Sequence, residues 1–233
     1  MNQDKTFLGT EPIGKLLRQL AVPTVIAQLV NMLYNIVDRI YIGHIPGDGD
    51  LALTGVGVCL PLILIVSAFA ALVASGGAPR ASIYMGKQDH DTAEKILGGC
   101  FALQLAVSAV LTAVLLLWSR DLLLAFGASE NTIGYAASYM QIYAVGTVFV
   151  QLTLGLNAFI TAQGFAKIGM RTVLIGAVTN IVLDPILIFG LGPVPAMGIA
   201  GAALATGIGQ ATSLVIYLVV YSTTESPVHL RRK

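Results

Sequence analysis

Charge is scarce in this chain. Of its 233 residues only 11% are charged and 7% aromatic, with a single tryptophan and two cysteines. So few charges exclude an ordinary water-soluble domain, whose surface needs about a quarter of its residues charged. The formal net charge of +1 gives no global field to attract nucleic acid. Cys59 and Cys100 both sit in apolar stretches, which argues against a disulfide framework and against a cysteine metal site. The glycine-rich stretches lack a Lys-Ser/Thr ending and a following acidic partner for a ribose, so neither a phosphate loop nor a dinucleotide fold is supported. No nucleophile, base and orienting group can be assembled, and the chain reads as no enzyme. It also lacks the basic-then-apolar order of a secretory leader, so the first apolar run is expected to be retained.

What is abundant is apolar: 56% hydrophobic residues and a mean hydropathy of +0.81. At roughly 20 residues per span this length holds about six transmembrane helices and leaves no room for a soluble catalytic domain. Apolar runs between polar breaks predict spans at Leu20 to Ile42, Val56 to Ala78, Ile96 to Trp118, Tyr139 to Ala162, Thr172 to Leu191 and Gly198 to Tyr221. The runs are continuous and rich in Leu, Ala and Val, which favours helices over the short alternating strands of a membrane barrel. The expected fold is therefore an all-α integral membrane bundle of six helices. Residues 1–19 form a lead-in, in which Ile13, Leu16, Leu17 and Leu20 recur at helical spacing opposite Lys15 and Arg18. Such a segment is expected to lie along the membrane surface. Residues 20–221 form the bundle and 222–233 a tail.

Basic residues sort by side. Alternate connections collect Lys5, Lys15, Arg18, Arg80, Lys87, Lys95, Lys167, Arg171, Arg231, Arg232 and Lys233 on one side, eleven of the thirteen. The other side has Arg120 alone, and Arg39 falls inside a span. An odd number of spans would scramble this asymmetry, so both termini are expected in the cytoplasm. Gly198, Gly201, Ala202 and Ala205 recur at the spacing that lets helices approach closely.

In lipid the informative residues are the polar ones. Gln28, Asn31, Asn35 and Asp38 fall at spacings of three, four and three, one stripe along the first helix. Such a face looks into a bundle or a watery cavity; the plainer alternative is interhelical hydrogen bonding with Asp38 paired to Arg39. On the fifth helix Asn180 and Asp184 share a face, and Pro185 lacks the amide that would bond the carbonyl of Ile181. A carboxylate, an amide oxygen and a loose carbonyl suit a hard cation or a proton, and the alternative is a proline kink with a protonated, hydrogen-bonded Asp184. Tyr139 and Tyr143 place two phenols at comparable depth, or else anchor the helix at the interface. Asp48 and Asp50 read as a turn, and His44, His90 and His229 lack metal-ligand spacing.

Several stretches together resemble the multidrug and toxic compound extrusion (MATE) family of cation-coupled exporters: Ala21-Val22-Pro23, Ile36-Val37-Asp38 with Ile42-Gly43, and Ala137-x-Tyr139-Met140. So do Thr161-Ala162-Gln163-Gly164, Asn180-x-x-Leu183-Asp184, and Gly198-x-x-Gly201-Ala202-Ala203-x-Ala205-Thr206. The resemblance implies one six-helix lobe of a two-lobe transporter, with Asp38, Tyr139, Asn180, Asp184 and Thr206 in a proton or sodium site of that lobe. A sodium ion would sit at Asp38, Asn180 and Asp184, while Gln28, Asn31, Asn35 and Tyr143 would line the substrate cavity. The implied activity is antiport of small, often cationic amphipathic compounds across a plasma membrane, in a bacterium the inner membrane, with no cofactor beyond the coupling ion. Two other readings stay open: a flippase for lipid-linked precursors or polysaccharide, and a membrane scaffold or accessory subunit. Because the substrate path of such transporters runs between two repeats, one lobe is not expected to transport alone. The chain is accordingly expected to be a fragment, a truncated product or half of a pair.

Overall fold

The computed structural model describes residues 10–222 and contains six long helices. They are α1 (Ile13–Gly43), α2 (Gly49–Gly86), α3 (His90–Ala125), α4 (Ile133–Ala162), α5 (Ala166–Phe189) and α6 (Ile199–Ser222). All six are long and apolar enough to cross a membrane. Among the described residues there is no strand beyond an isolated bridge between Leu191 and Val194. The tail from residue 223 and the first nine residues of the lead-in lie outside the described residues.

Each expected span is present, and most helices run past it. The 38 residues of α2 measure about 57 Å against a hydrocarbon layer of about 30 Å. A helix satisfies its own backbone, so it continues into polar sequence until a residue stops it. From Ile13 onward the lead-in is continuous with α1, which runs unbroken through Pro23. Pro12 precedes the helix with φ −56°, and its carbonyl accepts from the Lys15 and Leu16 amides, both at 3.0 Å. At the start of α3 the Asp89 carboxylate accepts from the Thr92 amide at 3.0 Å. The hydrogen bonds from Thr92 hold this carboxyl below the ordinary aspartate value.

The packing order differs from the chain order. Helix α4 forms the spine, packed on α2, α3 and α6, and its buried residues run from Ile133 to Ile160. Helix α5 packs on α6 and carries α1 on its flank. One core gathers Ile42, Leu62, Leu123, Met140 and Ile188; a second gathers Leu97, Leu156, Ile160, Tyr217 and Tyr221. Gln151 ties the spine to α2 by donating to the Val66 carbonyl at 2.7 Å.

Small residues set the approach of α5 to α6. A Cβ on Gly201 would stand 2.5 Å from the carbonyl carbon and oxygen of Leu187, and one on Gly209 would stand 2.9 Å from the Gly176 carbonyl oxygen. Ala202 and Ala205 are likewise buried. Gly198 does not share this role: it has φ +55° and open space around it, and serves the turn into α6. That turn also finishes α5, because the amides of Met197 and Gly198 donate to the Leu187 and Ile188 carbonyls at 2.9 and 3.0 Å.

Candidate functional site

Where α1, α5 and α6 meet, the bundle buries polar groups that no apolar core needs. Asn180 and Asp184 lie one turn apart on α5, and the Asn180 amide Nδ2 donates to Asp184 Oδ1 at 3.2 Å. The same nitrogen reaches Thr206 Oγ1 on α6 at 3.5 Å. Asn180 can come this close because α6 has Gly209 opposite it, where a Cβ would crowd the Asn180 Cβ at 3.3 Å. Asp184 is 0% and Asp38 6% exposed. Asp38, from α1, is near enough for its charge to act on Asp184 and on Tyr139.

Three oxygens of this cluster are buried with no hydrogen-bond partner: Asp38 Oδ1, Asn180 Oδ1 and Asp184 Oδ2. Orphaned buried oxygens are costly, the more so on a carboxylate. They are matched by a proton on a carboxyl group or by a cation held among several oxygens. Asp38 is not paired to Arg39: among the described residues the two ion pairs are Lys15–Glu11 and Lys95–Asp91, and Arg39 is exposed. No three His, Cys, Asp or Glu side chains form a metal cluster among the described residues. The donor set is instead two carboxylates, an amide and a hydroxyl, the oxygen chemistry of a hard ion.

Tyr139 and Tyr143 are buried in the core and stack with ring centroids 6.2 Å apart, so neither is an interface anchor. Beside the cluster a cavity of about 70 Å³ lies among α1, α4, α5 and α6; Gln28, Asn31, Asn180 and Thr206 are among its lining residues. It has room for a few waters or an ion, whereas drug-sized ligands occupy roughly 300–1,000 Å³. Gln28 and Asn31 of the α1 stripe both line it. Asn35 and Tyr143 do not line it: Asn35 donates back to the Asn31 carbonyl at 2.6 Å and lies with Gln28 and Asn31 along an open groove of about 360 Å³ on α1, and Tyr143 lies in the core. The stripe is a single helix face, but that face straddles the cavity rim.

Three lining residues escape the sequence reading. Tyr34 sits between Asn31 and Asp38 on the same face, within side-chain hydrogen-bonding reach of Gln210. Gln210 follows Thr206 by one turn on α6. Asn157 of α4 accepts from the Tyr217 hydroxyl at 2.9 Å. Spacing from Asp38 and Thr206 carries a signal for the first two; Asn157 has none outside the fold.

The family model described as MatE matches residues 23–186, which takes in Asp38, Tyr139, Asn180 and Asp184. The chain belongs to the MatE family. Among curated relatives it is 28% identical over 223 residues to the multidrug export protein MepA of Staphylococcus haemolyticus, covering 95% of this chain and 48% of MepA. It is equally 28% identical over 220 residues to the FAD transporter of Shewanella oneidensis, covering 94% and 48%. Among solved structures, the MATE multidrug transporter DinF-BH superposes with a TM-score of 0.88 at 33% identity, over 97% of this chain and 49% of that one. An outward-facing MATE-family multidrug resistance transporter superposes at 0.87 with 25% identity, over 99% and 50%. The chain thus spans about half the length of the MATE relatives it matches. These relatives are transporters, not enzymes, and the six-helix bundle corresponds to one lobe of their fold.

Proposed function

We propose that this chain forms the ion-binding lobe of an exporter that expels small, often cationic amphipathic compounds in exchange for sodium ions or protons. The observation that carries the reading is the trio of unpartnered buried oxygens on Asp38, Asn180 and Asp184. Ionisable side chains buried within membrane spans mark ion pathways by default. The multidrug transporters among the relatives supply the substrate class.

In this mechanism the coupling ion is cargo. A cation held among Asp38, Asn180 and Asp184 neutralises the carboxylates and draws α1 toward α5; with a proton instead, the carboxyl group turns donor and reorganises its bonds to Asn180. Thr206 and Asn180 link that event to α6, and Tyr139 extends it to the spine. Release of the ion leaves charge that the apolar surroundings disfavour, so the empty state favours rearrangement of α1. Since the cavity at the site is too small for a drug, the substrate is held against a wider wall, between this lobe and a second one. The basic end of the bundle, with both termini, faces the cytoplasm.

Uptake of a lipophilic cationic dye into everted vesicles carrying the whole transporter, energised by a sodium or proton gradient, tests this. Asp184→Asn is expected to remove ion-driven flux at matched protein level; unchanged flux would show that the carboxylate is structural. The FAD transporter favours a second reading, export of an anionic dinucleotide. Flavin flux without dye flux in the same vesicles would select it.

A further inference from the structure

Far from the polar cluster, the beginning of α1 and the beginning of α5 form an open groove of about 400 Å³. Lys15 and Arg18 come from α1, Lys167 from α5, and Gln19, Val22 and Pro23 complete the floor. Three cations therefore converge from two helices. The acidic group beside them is Glu11, whose Oε1 pairs with Lys15 at 2.7 Å on the exposed surface. Arg18 and Lys167 have no acidic partner among the described residues.

The same turns of α1 are apolar on their other flank. Ile13 and Leu17 are 83% and 68% exposed, and with Leu16, Leu20 and Ala21 they line an adjoining apolar groove. Cations over an apolar strip at the end of a membrane bundle match a ligand that is anionic at one end and apolar along its length. We propose that this groove binds an anionic phospholipid, with its phosphate between Arg18 and Lys167 and its acyl chains along Val22, Pro23 and the exposed flank of α1. A free phosphate would use the cations and leave the apolar strip unused. The site is independent of the ion cluster, and because it joins α1 to α5 it would hold together the helices that supply Asp38 and Asp184.

The test is native mass spectrometry of the full chain in detergent, titrated with phosphatidylglycerol, phosphatidylcholine or inorganic phosphate. Phosphatidylglycerol is expected to give discrete adducts well below the concentration at which phosphatidylcholine does. Arg18→Gln with Lys167→Gln is expected to weaken them roughly tenfold or more. Arg120→Gln, on a basic residue outside the groove, and the charge-preserving pair Arg18→Lys with Lys167→Arg are expected to leave them nearly unchanged. The charge-preserving pair also covers the case in which the neutral pair misfolds, since loss of adducts in that folded variant would contradict a charge-based site. Equal binding of both lipids, adducts that survive in a folded neutral pair, or phosphate binding without lipid binding would each overturn the proposal.

Discussion

At the residue scale the account rests on hydrogen-bond bookkeeping. Tyr217 is fully buried, yet its hydroxyl donates to Asn157 Oδ1 at 2.9 Å, so α6 is tied to α4. Replacing it with Phe removes one donor and leaves an amide oxygen short of a partner. Tyr217→Phe is therefore expected to cost about 1–2 kcal/mol of stability, read as a lower midpoint in detergent unfolding. Asp184 is different, because its Oδ2 has no partner to lose. Asp184→Asn should leave the fold standing, with a melting temperature equal to or above the parent's in ion-free buffer. A collapse of the fold in Asp184→Asn would assign the residue to structure. These residues differ in how visible they are in sequence. Asn180 and Asp184 stand out because polar side chains four apart in an apolar run share a face; Tyr34 hides, since a tyrosine in such a run looks like any amphipathic aromatic.

At the scale of elements, hydropathy marks which segments enter lipid, and all six spans were legible for that reason. It does not say where a helix stops, which is decided by backbone hydrogen bonds and turn residues such as Gly190 with φ +79°. Nor does it give partners: α1 docks on α5 rather than chiefly on its neighbour α2, and no periodicity in α1 encodes that choice. The α1 stripe shows the consequence: Gln28 and Asn31 line the cavity shared with α5 and α6, while Asn35 lines only the open groove along α1. Small residues are more informative once the contact is seen. A Cβ on Gly201 would meet the Leu187 backbone and one on Gly198 would meet open space, although both belong to the same glycine-rich motif. Gly201→Val is thus expected to force α6 off α5 and destabilise the chain by about 1–3 kcal/mol or more. Gly57→Ala, on a helical glycine with open space around it, should be nearly silent. Thermal unfolding followed by circular dichroism compares the two; equal effects would mean that the backbone approach at Gly201 is not tight.

At the scale of the whole molecule the fold matches half of a MATE transporter, and in the sequence eleven of the thirteen basic residues fall in alternate connections. With Cys59 and Cys100 replaced by serine, single cysteines at Pro46 and Glu130 are expected to label from outside the cell. A cysteine at Lys87 is expected to label only after the membrane is opened. Labelling of all three from one side would contradict the alternating passage of the helices. The central claim is that the Asp38, Asn180 and Asp184 cluster exchanges a coupling ion. The direct measurement is the infrared difference spectrum of the purified chain in the carboxyl C=O stretching region, recorded on titrating pH and then on adding sodium. A protonated-carboxyl band that disappears on raising the pH or on adding sodium, and that is missing or displaced in Asp184→Asn, is the predicted result. A spectrum indifferent to both ions, or the parent's band retained in full in Asp184→Asn, would contradict it.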